Sequence, residues 1–157
     1  MNIRLATCTD IPALIDLLQQ VGQVHHDIRP DIFRETCQKY DEATLAALLQ
    51  DKTRPVFVAE DEQVRGYCFC ILKEFAGESI MTDRRELYID DLCVDETCRG
   101  KGIATALYNH VTAYARAAGC SFISLNVWCG NDTAQRFYAG LGMTPRSVTM
   151  EQRLEDI

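Results

Sequence analysis

One stretch, Glu86 to Gly119, most constrains the fold of this chain, because it predicts a strand, a short loop and a helix in succession. The first part has the β-branched and aromatic content of a strand, carried by Tyr88, Ile89, Leu92 and Val94. The last part places apolar residues at helical spacing, namely Ile103, Ala104, Leu107, Val111 and Tyr114. The order favours a domain in which a strand leads directly into an amphipathic helix.

The connector between them places two glycines, Gly100 and Gly102, where the helix begins. A helix start carries unpaired N–H groups and a partial positive charge, so it suits a phosphate. Glycines let the backbone approach an anion closely, and Arg99 and Lys101 add positive charge. An ordinary helix start explains the glycines alone equally well. The nucleotide-binding P-loop and the dinucleotide fingerprint do not match, because the residues that should continue either pattern are missing.

The segment from Arg99 to Ala104 resembles the pyrophosphate loop, Arg/Gln-x-x-Gly-x-Gly/Ala, of the GCN5-related N-acetyltransferase (GNAT) family. As in that family, a strand with the sequence Asp-Leu-x-Val precedes the loop, here Asp91 to Val94. A second family block follows in the expected order, at Asn131 to Tyr138 and at Leu141 to Met143. The resemblance extends from Glu86 to Met150, and two blocks in the right order make it specific.

The resemblance implies a GNAT-like acyl-CoA N-acyltransferase fold with acetyl-CoA as cosubstrate and no metal. The pantetheine arm would pair with the strand at Leu92 to Val94, as peptides add to a sheet edge. This requires that strand to separate from its neighbour at Ser121 to Trp128. The residues predicted to hold acetyl-CoA are Leu92, Cys93, Val94, Arg99, Gly100, Lys101, Gly102, Ile103, Ala104, Thr105, Asn131 and Ala134.

Tyr138 is the predicted general acid, which would protonate the leaving thiolate. Asn131, Ala134 and Tyr138 lie at i, i+3 and i+7, so they share one helical face that can turn toward the coenzyme. The alternative is that Phe137 and Tyr138 are a plain aromatic anchor for the helix. The match of the surrounding family block favours the acid role.

Asp90 is the predicted general base, because Ile89-Asp90-Asp91-Leu92 resembles the corresponding stretch of the spermidine/spermine acetyltransferases. The alternative is a solvated acidic pair. Neighbouring side chains of a strand point to opposite faces, so Asp90 and Asp91 share a face only if a bulge intervenes. Family members that acetylate the N-terminus of a ribosomal protein carry Glu where this chain has Asn126, which argues against that specialised activity.

Composition limits the other classes of function. At 157 residues the chain suits one domain, 1–157, and its net charge of −7 argues against binding of nucleic acid. No stretch is long or apolar enough to span a membrane. The eight cysteines lack the spacing of a zinc site, and no signal peptide accompanies them. They are interpreted as reduced thiols of a cytoplasmic protein, although four disulfides of a secreted domain are the alternative.

The order of predicted elements is β-α-α-β-β-β-α-β-α-β, a mixed sheet with helices (α/β, of the α+β type). The two segments expected to set acceptor specificity are the loops Gln23 to Arg34, with His25 and His26, and Ala76 to Arg85. The predicted elements are a strand at Asn2–Ala6, a helix from Thr9 or Asp10 to Gly22, a helix at Asp41–Gln50, strands at Pro55–Glu60 and Val64–Phe75, the strand and helix described above, a strand at Ser121–Trp128, a helix from Asn131 or Asp132 to Ala139, and a last strand at Thr144–Leu154.

The function expected from the resemblance is transfer of an acetyl group from acetyl-CoA to a primary amine, directly, in a ternary complex. The expected acceptor is a small molecule: a polyamine, an amino acid, an aminoglycoside-like compound or an aminophosphonate. A protein or peptide amine, a longer acyl chain, a non-catalytic sensor of acyl-CoA and a plain interaction domain are the alternatives. A homodimer is an option that the resemblance leaves open.

Overall fold

The computed structural model describes residues 1–36 and 38–154, and its chain divides into two compact units on either side of Asn126 and Val127. The elements of the first unit are β1 (Asn2–Leu5), α1 (Ile11–Ile28), α2 (Glu42–Leu48), β2 (Val56–Asp61), β3 (Gln63–Phe75), β4 (Arg84–Val94), α3 (Ile103–Ala117) and β5 (Phe122–Leu125). The second unit contains α4 (Asp132–Gly140). One domain over 1–157 stays a prediction.

The first unit is built on a five-stranded sheet with the strand order β1-β2-β3-β4-β5. The first three pairings are antiparallel, and β4 and β5 run parallel. Strands β2 and β3 form the predicted hairpin, in which Glu62 adopts a positive φ of 58° at the turn. The sheet is therefore mixed, as the sequence predicts, and the fold is of the α+β class.

Helices cover both faces of this sheet. On one face, α1 and α2 pack against β2, β3 and β4 through a core that includes Leu14, Leu18, Tyr67 and Phe69. On the other face, Phe57 of β2 contacts the rings of His110 and Tyr114 of α3, with centroid distances of 5.0 and 5.2 Å. Side chains of the central strands therefore alternate between an α1/α2 face and an α3 face.

Helix α1 is longer than the sequence predicts. The expected stop at Gly22 is wrong, because the helix continues to Ile28 and includes His25 and His26. Gly22 is buried inside the helix, where a glycine costs about 1 kcal/mol relative to alanine without breaking the backbone hydrogen bonds. The helix ends at Ile28, six residues later than predicted, just before Arg29, whose successor Pro30 disfavours helical backbone.

Two predicted strands differ from the structure. Strand β5 covers Phe122–Leu125 only, shorter than the predicted Ser121–Trp128. The last strand predicted at Thr144–Leu154 is wrong, because the structure forms no strand at 144–154, all of which lie within the described residues. Alternation of Val148 and Met150 indicates an extended backbone, but a strand also needs a hydrogen-bonded neighbour, and Pro145 donates no N–H.

Within residues 1–36 and 38–154, no helix is both long enough and apolar enough to cross a membrane.

Candidate active site

The connection from β4 to α3 has the geometry of an anion site. The side chain of Asp95 accepts a hydrogen bond from the N–H of Thr97 at 2.9 Å, which shapes the turn after β4. Gly100 and Gly102 then adopt positive φ angles of 75° and 80°, and Gly102 is the N-cap of α3. A Cβ added at either glycine would meet nothing within 4 Å, so the space above the helix start is open. The loop therefore fits a phosphate group held by first-turn N–H groups.

Arg99 lies at the base of this loop, where its Nε donates to the carbonyl oxygen of Val94 at 3.3 Å. The contact ties the loop to the end of β4. A concavity of about 630 Å³ also opens beside Arg99, between α1 and this connection, but its lining includes Asp16, Asp27, Asp95 and Glu96. An acidic lining repels phosphates, so the helix start is the better coenzyme site.

Strand β4 changes its pairing halfway along. From Glu86 to Ile89 it pairs with β5, and the last pair is Ile89 with Leu125. Beyond Ile89, within residues 1–36 and 38–126, the strand keeps a partner on one side only, β3, as far as Val94 opposite Gly66. The backbone edge of Leu92, Cys93 and Val94 on the β5 side is thus the part of this sheet that fits an added pantetheine strand.

A β-bulge at Asp90 places both aspartates of β4 on the α1/α2 face. The pairing with β3 jumps from Ile89 opposite Cys70 to Asp91 opposite Phe69, so Asp90 is the extra residue. Asp91 accepts a hydrogen bond from the buried Tyr67 hydroxyl at 2.7 Å. Asp90 accepts from residues of the segment before α2. The bulge removes the objection that neighbouring strand residues cannot share a face.

Two residues that the sequence analysis did not single out, Tyr40 and Lys39, hold the Asp90 carboxylate. The Tyr40 hydroxyl donates to Oδ2 at 2.6 Å, and the Lys39 ammonium lies 2.9 Å from Oδ1. Arg54 in turn donates to the Tyr40 oxygen at 2.8 Å. Burial, and then the Asp90 carboxylate, raises the pKa of Tyr40 to about 12, so the hydroxyl keeps its proton. In the sequence, Lys39 and Tyr40 are adjacent and lie between two predicted helices. No sequence pattern indicates that either residue contacts Asp90.

Asp91 and His25 lie in a less polar environment. Desolvation raises the pKa of the Asp91 carboxyl, and the Tyr67 hydrogen bond partly opposes that shift. Burial lowers the pKa of His25, with the negative charge of Asp91 acting against it and the positive charge of Lys39 with it. The His25 ring also stacks on Phe33, with centroids 5.0 Å apart. The segment predicted to carry acceptor specificity thus supplies His25 to the surroundings of Asp91.

The second unit holds the predicted acid. Asn131 is the N-cap of α4, and its side-chain oxygen accepts from the N–H of Ala134 at 3.2 Å. Asn131, Ala134 and Tyr138 are all half-buried, whereas Asp132 and Thr133 are exposed. The Tyr138 ring packs edge-on against Phe137, with centroids 5.0 Å apart. The anchor role and the shared face both fit this geometry, and the acid role stays a prediction.

Comparisons with solved structures agree with the fold. The BH1408 protein of Bacillus halodurans, solved as a mutant, is 35% identical, with a TM-score of 0.94 over 98% of this chain and 99% of that chain. An aminoglycoside acetyltransferase from an uncultured soil metagenomic sample, solved in complex with sisomicin, has a TM-score of 0.73 at 20% identity, over 98% of this chain and 96% of that one, and shows the fold alone.

Sequence relatives give the family. An uncharacterized N-acetyltransferase of Methanocaldococcus jannaschii is 39% identical over 62 residues, which are 39% of this chain and 40% of that protein. The chain thus spans less than half of the length of this curated relative. The model of the acetyltransferase (GNAT) family matches residues 19–143, which include β4, the glycine turn and all of α4. The chain therefore belongs to the acetyltransferase (GNAT) family, as its two sequence blocks predict.

Proposed function

We propose that the protein is an acetyl-CoA-dependent N-acetyltransferase that acts on the primary amine of a small molecule, by direct transfer in a ternary complex. The observation that carries the proposal is the course of β4. Within residues 1–36 and 38–126, its second half has one backbone edge without a strand partner, carries two carboxylates on one face, and leads straight into the left-handed turn at Gly100 and Gly102. A thioester held along that edge would lie beside groups able to accept a proton.

The coenzyme supplies an activated acetyl group as a thioester. Residues Arg99 to Thr105 would hold its pyrophosphate, and the backbone of Leu92, Cys93 and Val94 would hold its pantetheine arm and polarise the carbonyl oxygen. Asn131 and Ala134 would contact the same arm. Tyr138 would protonate the departing sulfur, and Asp90 would take the proton of the amine.

Direct transfer is supported by the state of the cysteine on β4. Cys93 is 5% exposed, and its thiol donates to the carbonyl oxygen of Leu17 at 3.5 Å. Burial raises the pKa of the Cys93 thiol to about 12, so the thiol is neutral near pH 7. An acyl-enzyme route needs a thiolate nucleophile. Cys93 therefore serves packing and backbone contacts rather than covalent catalysis.

The acceptor is proposed to be cationic, because the α1/α2 face presents Asp90 and Asp91 together. Polyamines, amino acids, aminoglycoside-like compounds and aminophosphonates all carry such an amine. A cytoplasmic location is proposed as well, on the free thiols of Cys8, Cys68, Cys70, Cys93, Cys98, Cys120 and Cys129. Cys37 lies outside the described residues. A homodimer stays a prediction.

The test is thermal unfolding with acetyl-CoA, with free CoA and with ATP as the control ligand. A ligand at a hundred times its dissociation constant stabilises the fold by about 2.7 kcal/mol. A raised midpoint with acetyl-CoA and CoA but not ATP is expected. No shift with either coenzyme would overturn the proposal. Tyr138→Phe then separates an enzyme from a sensor, because it should lower kcat and leave the coenzyme-induced shift unchanged.

A further inference from the structure

The ammonium of Lys39 rests on the bulge of β4. Its Nζ lies 2.9 Å from Oδ1 of Asp90 and 3.5 Å from the backbone carbonyl oxygen of the same residue. The Lys39 side chain is 45% exposed, whereas that of Asp90 is 13% exposed. A partly exposed ammonium is thus held by a mostly buried carboxylate.

The carboxylate itself is held in a fixed orientation. Oδ2 of Asp90 is occupied by the Tyr40 hydroxyl, which is in turn bonded to Arg54. The Tyr40 ring packs against Phe69 of the core, with centroids 5.5 Å apart. Oδ1 is consequently the oxygen that Asp90 presents to an amine, and in this structure the amine is Lys39.

This contact has the geometry of a base and its acceptor. A general base must lie within about 2.6–3.2 Å of the atom whose proton it removes, and the distance from Nζ to Oδ1 meets that condition. Lys39 is a primary amine, the class on which the proposed transferase acts. Asp90 precedes Leu92 by two residues, or about 7 Å along a strand, so the amine lies near the edge proposed for the thioester.

We propose that Lys39 is an acetylation site of the protein's own activity, a proposal that rests on the proposed function. Asp90 removes a proton from Nζ, and the nitrogen lone pair forms a bond to the carbonyl carbon of the acetyl thioester. The carbon–sulfur bond breaks, sulfur leaves with the bonding pair, and the second proton that the nitrogen loses passes to the sulfur, which gives free CoA thiol. Lys39 becomes a neutral amide, which ends its ion pair with Asp90.

The modification changes what the site offers to other amines. With Lys39 charged, an external ammonium must compete with a tethered one for Oδ1 of Asp90. With Lys39 acetylated, the competing charge is gone and Oδ1 can accept from an external amine. The first turnover therefore converts the site from one that is filled by its own side chain to one that receives a free acceptor.

The first experiment is to incubate the full chain with acetyl-CoA, without added amine, and to map acetylated lysines by peptide mass spectrometry over time. The internal controls are Lys52, Lys73 and Lys101. We expect Lys39 to react at least about tenfold faster than each of these, because Asp90 acts as its base. The fractional rate should not change on tenfold dilution of the protein. Equal rates at all lysines, or a rate that falls on dilution, would overturn the proposal.

The second experiment separates this reaction from passive labelling. In Asp90→Asn the coenzyme-dependent acetylation of Lys39 should fall by about 100-fold because the base is lost. Labelling of coenzyme-free protein by N-hydroxysuccinimide acetate should instead rise or stay equal at Lys39, because the ion pair that shields it is lost. A change of the two rates in the same direction would overturn the proposal.

The matched variant is Lys39→Arg, which keeps a positive charge on Asp90 but cannot be acetylated. It should retain the coenzyme-induced thermal shift and show no acetylation at position 39. The same shift, measured on the wild-type sample, distinguishes the two possible failures. A shift without acetylation of Lys39 overturns this inference alone. No shift overturns the proposed function and this inference together.

Discussion

The two halves of β4 differ in their strand partners. The closed half, Glu86–Ile89, has a strand on both sides, β3 and β5. The open half, Asp90–Val94, keeps β3 as its strand partner within residues 1–36 and 38–126, since β5 ends at Leu125. A single extra residue, Asp90, marks the boundary.

The side chains of the closed half pack and form hydrogen bonds within the sheet. Glu86 is 3% exposed and accepts a hydrogen bond from the Ser124 hydroxyl of β5, while Arg84 lies 3.5 Å from its other oxygen. Leu87 is fully buried, and Ile89 is 3% exposed. The open half instead holds half-buried aspartates and leads into the glycine turn. The first half of β4 is thus packed and paired on both sides, whereas the second half has one backbone edge that fits a ligand.

The largest expected effect is on stability in the closed half. Leu87→Ala should lower the free energy of unfolding by about 2–5 kcal/mol, because it leaves a cavity at a fully buried position. Urea unfolding followed by circular dichroism measures it.

The matched substitution in the open half is Leu92→Ala. Leu92 is half-buried, so we expect roughly half that loss or less. Equal losses for the two variants would show that both halves are packed alike, and the contrast between them would not hold.

The next effect is on catalysis. Asp90→Asn should lower kcat by about 100-fold, or about 2.7 kcal/mol, because an amide cannot accept the amine proton. CoA release, assayed with spermidine, an aminoglycoside and free amino acids, measures it. Asp91→Asn is the control and should lower kcat far less. If Asp91→Asn has the larger effect, the base role belongs to Asp91 and the Asp90 assignment is wrong.

A third effect tests the end of the open half. Gly102→Ala should weaken acetyl-CoA binding by about tenfold, because a Cβ would fill the space proposed for the pyrophosphate. Gly77→Ala is the matched control, since Gly77 has a φ of 72° and the same open space but lies in a loop away from α3. Both variants should lose roughly 1–2 kcal/mol of stability through backbone strain. Calorimetric titration should show weaker binding for Gly102→Ala only.

The smallest effect concerns pH. Burial raises the pKa of Asp91 above its ordinary value of 3.8, so the folded state holds this proton more tightly than the unfolded state does. The contribution of this proton to the free energy of unfolding is fully present at a pH below the ordinary pKa of Asp91. It is lost as the pH rises through the pKa of Asp91 in the folded state. Asp91→Asn should therefore gain stability relative to wild type as pH rises from the ordinary value of 3.8 through the folded value. A constant difference across that range would contradict it.

Much of the fold followed from local patterns. The strand and helix around the glycine turn were recognisable because apolar spacing and glycines indicate element type and ends. Asp41 caps α2 by accepting from the N–H of Thr44 at 2.7 Å, as a short polar residue before a helix predicts. The predicted helix end at Gly22 is wrong because the sequence does not distinguish a glycine buried inside a packed helix from one that ends a helix. The strand at 144–154 failed because alternation does not specify a partner.

The site was less accessible to sequence reasoning. Asp90 and the coenzyme residues stood out through their family motif, and their roles stay predictions. Lys39 and Tyr40, which precede α2, contact Asp90 only in the folded chain, and Arg54, which precedes β2, contacts Tyr40 there. The bulge could be stated as a condition for a shared face, but local sequence could not predict it, since it depends on how β3 and β4 choose their register.

The bulge changes which face of the sheet the odd-numbered residues of β4 lie on. Upstream of it, odd-numbered Leu87 and Ile89 lie opposite Leu72 and Cys70, on the face of α3. Downstream, odd-numbered Asp91 and Cys93 lie opposite Phe69 and Tyr67, on the α1/α2 face. Loss of one residue at this point would leave composition almost unchanged and remove the phase change, giving a regular ladder. The side of the sheet that a residue of β4 faces thus depends on whether its number is odd or even and on whether it precedes or follows the bulge. A comparison of residue types alone does not detect this dependence.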